Sequence, residues 1–189
     1  QTNSGVNFTQ ILTNTLVVGV LSTLLGLVVI IITAYALARM NFKGKNLLFT
    51  LMLGTMMIPG EMYTLTNYLT VSPSQFNWVD TYTVLIVPFL VSVYYTYLLR
   101  NNFMQIPNEL YLAAKIDGTT DLKYLWKVMI PLALPTLISI TILKMMGSWN
   151  TYMWPNLVAN DEEHMLITVG IRHAQFVDEA TNQTNFPAQ

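Results

Sequence analysis

The chain has 189 residues, of which 53% are hydrophobic and only 10% charged, with a mean hydropathy of +0.45. A soluble domain carries about 25% charged residues, so this deficit excludes an ordinary water-facing surface and marks a chain that meets hydrocarbon. A net charge of −1 gives no basis for nucleic-acid binding, and the absence of cysteine removes disulfides, thiol catalysis and thiolate metal sites.

Ile11 to Ala38 carries no charge, and Val17 to Leu37 within it is long enough to cross a hydrocarbon core of about 30 Å. Ser22 and Gly26 give this run a small-xxx-small face suited to close helix contact. Asn46 to about Thr70 predicts a second span, interrupted at Pro59-Gly60-Glu61, because neither proline nor glycine sustains a helix. Thr81 to Leu99 predicts a third, with Pro88 inside it, and Val128 to about Met146 a fourth, carrying Pro131, Pro135 and Lys144. Four such runs exceed what a chain of this length can bury in a soluble core. The expected fold is therefore an all-α, polytopic membrane helical bundle, with residues 1–189 forming a single transmembrane domain.

Basic residues orient the bundle. Arg39, Lys43 and Lys45 follow the first span, and Arg100, Lys115, Lys123 and Lys127 follow the third; together they are seven of the nine Lys and Arg residues. Val71 to Asp80 has none, and the tail beyond the fourth span holds Asp161, Glu162 and Glu163. The positive-inside bias then puts the 39–45 and 100–127 connections in the cytoplasm and both ends of the chain outside. Trp78, Tyr82, Trp149, Tyr152 and Trp154 fall near the outer interface, where amphipathic rings settle. An outer N-terminus without a signal-peptide pattern needs an upstream helix to deliver it. The chain is thus expected to be the middle of a longer protein, lacking at least one span at each end, with an outer tail over residues 150–189.

Residues 107–127 break the apolar pattern with a charged helix–turn–helix, and Val128 to Pro131 then enters the fourth span. Pro107 suits the first turn of a helix, Glu109 sits near its positive end, and Asp117-Gly118 ends it. Thr119 or Thr120 caps a second helix with Asp121 in its first turn, on which Leu122, Leu125, Trp126 and Met129 fall on one apolar stripe. By physics alone, this loop either rests on lipid headgroups or docks a partner, for which small Ala113 and Ala114 allow close approach.

The spacing Leu112-Ala113-Ala114, Gly118, Val128-x-Ile130-Pro131 is similar to the cytoplasmic Glu-Ala-Ala…Gly…Ile-x-Leu-Pro pattern of the permease subunits of bacterial ABC importers. IPNELYLAAKIDG around it, MIPGE at Met57 to Glu61 and SWNTYMWP at Ser148 to Pro155 resemble the carbohydrate-uptake branch, with maltose- and glycerol-phosphate-type permeases. The likeness runs from about Asn14 to Ile171. It implies the type I transmembrane domain, with the central four of about six spans present. The loop would be a coupling helix: Glu109, Leu112, Ala113, Ala114, Asp117, Gly118, Val128, Ile130 and Pro131 would engage a cytoplasmic ATPase dimer. A second permease subunit and an extracytoplasmic solute-binding protein are the other implied partners, beside membrane lipid, in a bacterial inner membrane. The family's leading Glu is Leu112 here; Glu109, one turn earlier on the same face, is a candidate substitute.

Glu61 and Lys144 are the only ionisable groups deep in the spans apart from tyrosines, at similar heights of ~23 and ~24 Å by helical rise. Three readings stand: Lys144 snorkels outward, the two form an ion pair, or both line a translocation path. Trp149 and Asn150 could offer a stacking ring and an amide to a sugar. His164 and His173 lack paired-ligand spacing, so no metal is expected, and the chain has no Walker GxxxxGK[ST] run, so ATP and Mg belong to the partner. The expected function is sugar import by a non-enzymatic permease subunit. Amino-acid, polyamine or peptide import is the alternative, ahead of a membrane enzyme or secondary transporter.

Overall fold

A computed structural model describes residues 8–159 and 161–172; His173, Asp178 and the terminal TNQTNFPAQ lie outside them. Among the described residues every regular element is helical. α1 runs unbroken over Phe8–Arg39, a 32-residue helix of about 48 Å at 1.5 Å per residue. Leu16, Val17, Val20, Leu21, Leu24, Val28 and Ile32 are exposed along it, an apolar surface of the kind that meets hydrocarbon or a partner helix.

Gly44, at φ 85°, makes the reversal into α2 (Lys45–Thr55), a conformation open to glycine without a Cβ penalty. α2 buries none of its residues. The predicted second span is divided: after α2 come the Pro59 break, a 3₁₀ turn at Gly60–Tyr63 and α3 (Thr64–Val71). None of these pieces is long enough to cross a membrane alone. α4 (Tyr82–Ile86) and a 3₁₀ turn over Val87–Phe89 lead into α5 (Val93–Gln105), bent by 43° at the break. Thr81 and Ser92 cap α4 and α5, accepting from Val84 N and Tyr95 N. α6 spans Asn108–Ile116. α7 (Asp121–Tyr124) continues through a π turn at Leu125–Met129 into α8 (Ile130–Leu132). An 80° bend at Ala133 separates these from α9 (Leu134–Asn150). Pro131 and Pro135 flank that bend, each lacking an N–H and clashing with the carbonyl one turn back. α10 (Met153–Val158) follows, and residues 167–172 are helical. By length and composition α1 alone can cross a membrane, and counting each bent pair as one span gives up to three.

The chain divides into two compact units. The first gathers the described parts of Gln1–Ser22, Tyr63–Pro88 and Met146–Gln189. There Asn14, buried on an apolar helix, donates to Glu163 O (2.7 Å) and Met165 O (3.2 Å) and accepts from Tyr82 OH (2.8 Å). Ile11, Met165 and Val169 pack together beside it. Trp154 is buried there, and its Nε1 donates to Val84 O at 2.9 Å. A buried indole N–H ordinarily finds such an acceptor.

The second unit, Thr23–Met62 with Phe89–Met145, has a larger core. Ile30, Ala34 and Tyr35 of α1 meet Leu99 and Phe103 of α5 and Tyr124, Leu125, Met129, Ala133, Leu137 and Ile140. The predicted stripe on α7 is split. Leu125 and Met129 are buried, but Leu122 (67%) and Trp126 (63%) are exposed. The core lies against Tyr124, Leu125 and Met129, which leaves Leu122 and Trp126 on the outer flank.

Candidate functional site

The helix–turn–helix of the second unit is assembled by local chemistry. Pro107 occupies the position just before α6, where no N–H is needed. At its other end Thr119 N donates to Ala114 O (2.9 Å) and Gly118 N to Lys115 O (3.0 Å). That pair of bonds is the Schellman arrangement, which requires a left-handed residue at Gly118; its φ is +70°. Thr120, rather than Thr119, caps α7, its hydroxyl accepting from Lys123 N at 3.4 Å.

Asp121 then ties the two helices together and to α1. Its Oδ1 pairs with Lys115 Nζ at 2.9 Å and accepts from Tyr111 OH (2.9 Å) and from Tyr35 OH of α1 (3.2 Å). Hydrogen bonds from Lys115 first, then Tyr111, hold the Asp121 carboxyl below its ordinary value, and the same bond raises Lys115. Tyr111 also meets the Tyr124 ring edge-on at 5.2 Å. At the start of α6, Arg39 Nη1 donates to Asn108 Oδ1 (3.3 Å). The loop is thus braced on α1 at both ends of α6. The sequence reading missed Tyr35, Tyr111 and Lys115 and placed Asp121 only as a first-turn acid; four residues whose partners lie up to 86 positions apart leave no local pattern.

This brace leaves one face of α6 free. Tyr111 and Ala114 turn inward, while Glu109, Leu112, Ala113 and Ile116, at i, i+3, i+4 and i+7, are exposed on one side. Leu112 is 54% exposed and Ile116 88%. Ile116 was not singled out from sequence, although it completes the stripe begun by Leu112. Asp117 and Gly118 are exposed at the tip; Val128 and Ile130 pack against the core, and Pro131 is exposed.

Lys144 and Glu61 do not pair. Lys144 is buried (7% exposed) and donates to Phe89 O at 2.6 Å, at the break between α4 and α5. Its stem lies across Gly26, where a Cβ would collide with Lys144 Cε. The ammonium thus neither snorkels nor meets Glu61, which is exposed on the 3₁₀ turn of the interrupted second run. In the other unit Trp149 and Asn150 are exposed at the end of α9, with Asn150 Nδ2 donating to Met146 O at 2.9 Å. His164 sits 5.0 Å from the Tyr82 ring, and no metal-holding cluster of His, Cys, Asp or Glu occurs among the described residues.

Residues 26–178 match the family described as "Binding-protein-dependent transport system inner membrane component". The chain is 33% identical over 170 residues to the arabinooligosaccharides transport system permease protein AraQ of Bacillus subtilis (strain 168), covering 89% of this chain and 59% of that one. It is 31% identical over 183 residues to the sn-glycerol-3-phosphate transport system permease protein UgpE of Yersinia pestis bv. Antiqua (strain Antiqua), covering 97% and 64%. A chain in the crystal structure of a bacterial ABC transporter involved in the import of the acidic polysaccharide alginate superposes with a TM-score of 0.81 at 26% identity, covering 94% of this chain and 65% of that one. The chain therefore spans somewhat under two thirds of the length of each of these proteins.

Proposed function

The chain belongs to the family of binding-protein-dependent transport system inner membrane components, and from that membership we propose that it is a permease subunit of an ATP-driven importer for a sugar or sugar derivative. The relatives named for arabinooligosaccharides, glycerol phosphate and alginate support that substrate class. The observation that carries the mechanism is α6, braced on α1 through Asp121 and Arg39 and showing Glu109, Leu112, Ala113 and Ile116 on its free side.

In this reading the free face docks in a cytoplasmic ATPase, one of a pair, which binds and hydrolyses ATP with its magnesium. Asp117 and Gly118 form the tip, and Val128, Ile130 and Pro131 join the lever to α9. Closure of the ATPases displaces α6, and the Tyr35–Asp121–Tyr111 contacts pass that displacement to α1. A second permease subunit completes the pathway, and an extracytoplasmic binding protein delivers the substrate. Glu61, exposed at the Pro59-Gly60 break, is the intramembrane charge open to a translocated solute; Trp149 and Asn150 are candidate contacts near the outer side. Lys144, engaged with Phe89 O, serves packing instead.

Purification of the full-length protein from detergent tests the reading. An ATPase and a second permease should co-purify, and radiolabelled oligosaccharide uptake into vesicles should need all of them. A stable lone subunit, or uptake independent of ATP, refutes it.

A further inference from the structure

Four cations gather where α1 leaves its apolar length and α2 and α5 meet it. Arg100 Nε donates to Leu37 O (3.2 Å), Lys45 Nζ to Ala38 O and Met40 O (3.1 Å each), and Arg39 to Phe103 O and Ile106 O. Lys43 stands beside them in the connecting turn, exposed. No carboxylate forms an ion pair with any of the four among the described residues; the pair found there, Lys115–Asp121, belongs to the loop. The C-terminal ends of α1 and α5 supply only about −0.5 each. Four positive charges against those two ends leave a net of about +3. Lys45 registers the excess: burial, then its positive neighbours Arg100 and Arg39, lower its pKa.

A recess of about 660 Å³ opens onto this cluster, lined by Lys43, Lys45 and Arg100 together with the apolar Phe42, Leu47 and Met104. The apolar residues are themselves exposed, at 42%, 65% and 55%. Donors remain: two of the three N–H groups of Lys45 and only the Nε of Arg100 are engaged in the bonds above. We propose that this recess is a binding site for the phosphate of an anionic phospholipid, held by Lys43, Lys45 and Arg100, with the acyl chains against Phe42, Leu47 and Met104. A free phosphate would use the same cations and leave the apolar lining bare. A lipid uses both, and the end of a long apolar helix is where a headgroup lies. The site rests on α1 crossing the membrane and is independent of what is transported.

Native mass spectrometry of the detergent-purified full-length protein in its complex, titrated with dioleoylphosphatidylglycerol or dioleoylphosphatidylcholine, tests the site. Phosphatidylglycerol should bind at least fivefold more tightly. Lys43→Gln should weaken it about fivefold, the effect of one interfacial cation, while Lys43→Arg retains it. Lys43 is exposed and outside the hydrogen bonds described, so the unfolding midpoint without added lipid should not move. Equal affinity for the two lipids, or undiminished phosphatidylglycerol binding by Lys43→Gln, overturns the proposal. Competition by millimolar inorganic phosphate that displaces the lipid completely overturns the lipid as ligand.

Discussion

Arg39 and Arg100 close each other's helices. Arg39, the last residue of α1, donates to Phe103 O (3.2 Å) and Ile106 O at the end of α5, and Arg100 of α5 donates to Leu37 O near the end of α1. The last carbonyls of a helix have no partner within it, and here each helix supplies the cation its neighbour lacks. Arg100 also stacks over the Phe49 ring at 3.8 Å, which draws α2 into the same joint.

Arg39→Gln should therefore cost about 1–3 kcal/mol, the penalty for leaving buried acceptors unsatisfied. Thermal unfolding of the purified complex measures it. Arg39→Lys should recover only part, because a single ammonium cannot reach Phe103, Ile106 and Asn108 together.

Gly118→Ala should destabilise the loop by about 1–2 kcal/mol through backbone conformation alone. A Cβ there meets nothing within 4 Å, yet φ is +70°. Gly118→Asn should cost less than Gly118→Ala, since asparagine tolerates the left-handed region. Hydrogen exchange of the Thr119 amide, bonded to Ala114 O, reports the difference.

Gly26→Ala drives a methyl group into Lys144 Cε, with Leu90 O only 3.2 Å away on the backbone, and should cost about 1–3 kcal/mol as overpacking. Lys144→Met removes the ammonium but leaves Phe89 O without it. The double variant should be more stable than the sum of the two losses predicts, with a coupling of about 0.5–3 kcal/mol in a thermal double-mutant cycle. Strict additivity would show that the two residues do not meet.

The Asp121 brace should fail in acid. Its carboxyl is held below the ordinary 3.8, first by the Lys115 hydrogen bond and then by Tyr111. The folded value is thus lower than the unfolded one, so the brace contributes fully above pH ~4 and is lost as pH falls through the folded value. Asp121→Asn should loosen α6 at neutral pH and remove this acid dependence, followed by the exchange rates of the Tyr111 and Lys115 amides.

Docking of α6 should depend on apolar contact more than on charge. Burying an Ile side chain is worth about 1.5–3 kcal/mol, whereas an exposed ion pair is worth about 0–1 kcal/mol. Ile116→Ser should weaken ATPase association at least tenfold, as read by pull-down from detergent. Glu109→Gln should change it less than fivefold, and Glu109→Lys should be worse than Glu109→Gln if Glu109 faces a cation.

The sequence by itself determined the features that are local. A charge-free run reads as a membrane helix, Gly118 as the turn that only a residue tolerant of positive φ completes, and Leu112 to Ala114 with Gly118 as a spaced pattern. These depend on periodicity and on backbone sterics within a few residues, and the helical elements and the Schellman turn followed. Tertiary structure decided what has no local trace. Lys144 reads equally as a snorkelling cation, half of a pair with Glu61, or a pathway residue, until the Phe89 carbonyl is seen 2.6 Å away across 55 positions. The apolar spacing of Leu122, Leu125, Trp126 and Met129 reads as one buried stripe, but the neighbouring core chose only Leu125 and Met129. Arg39 and Arg100 read from the sequence only as basic residues beside apolar runs, and they cap α5 and α1 because the carbonyls they satisfy are brought to them only by packing.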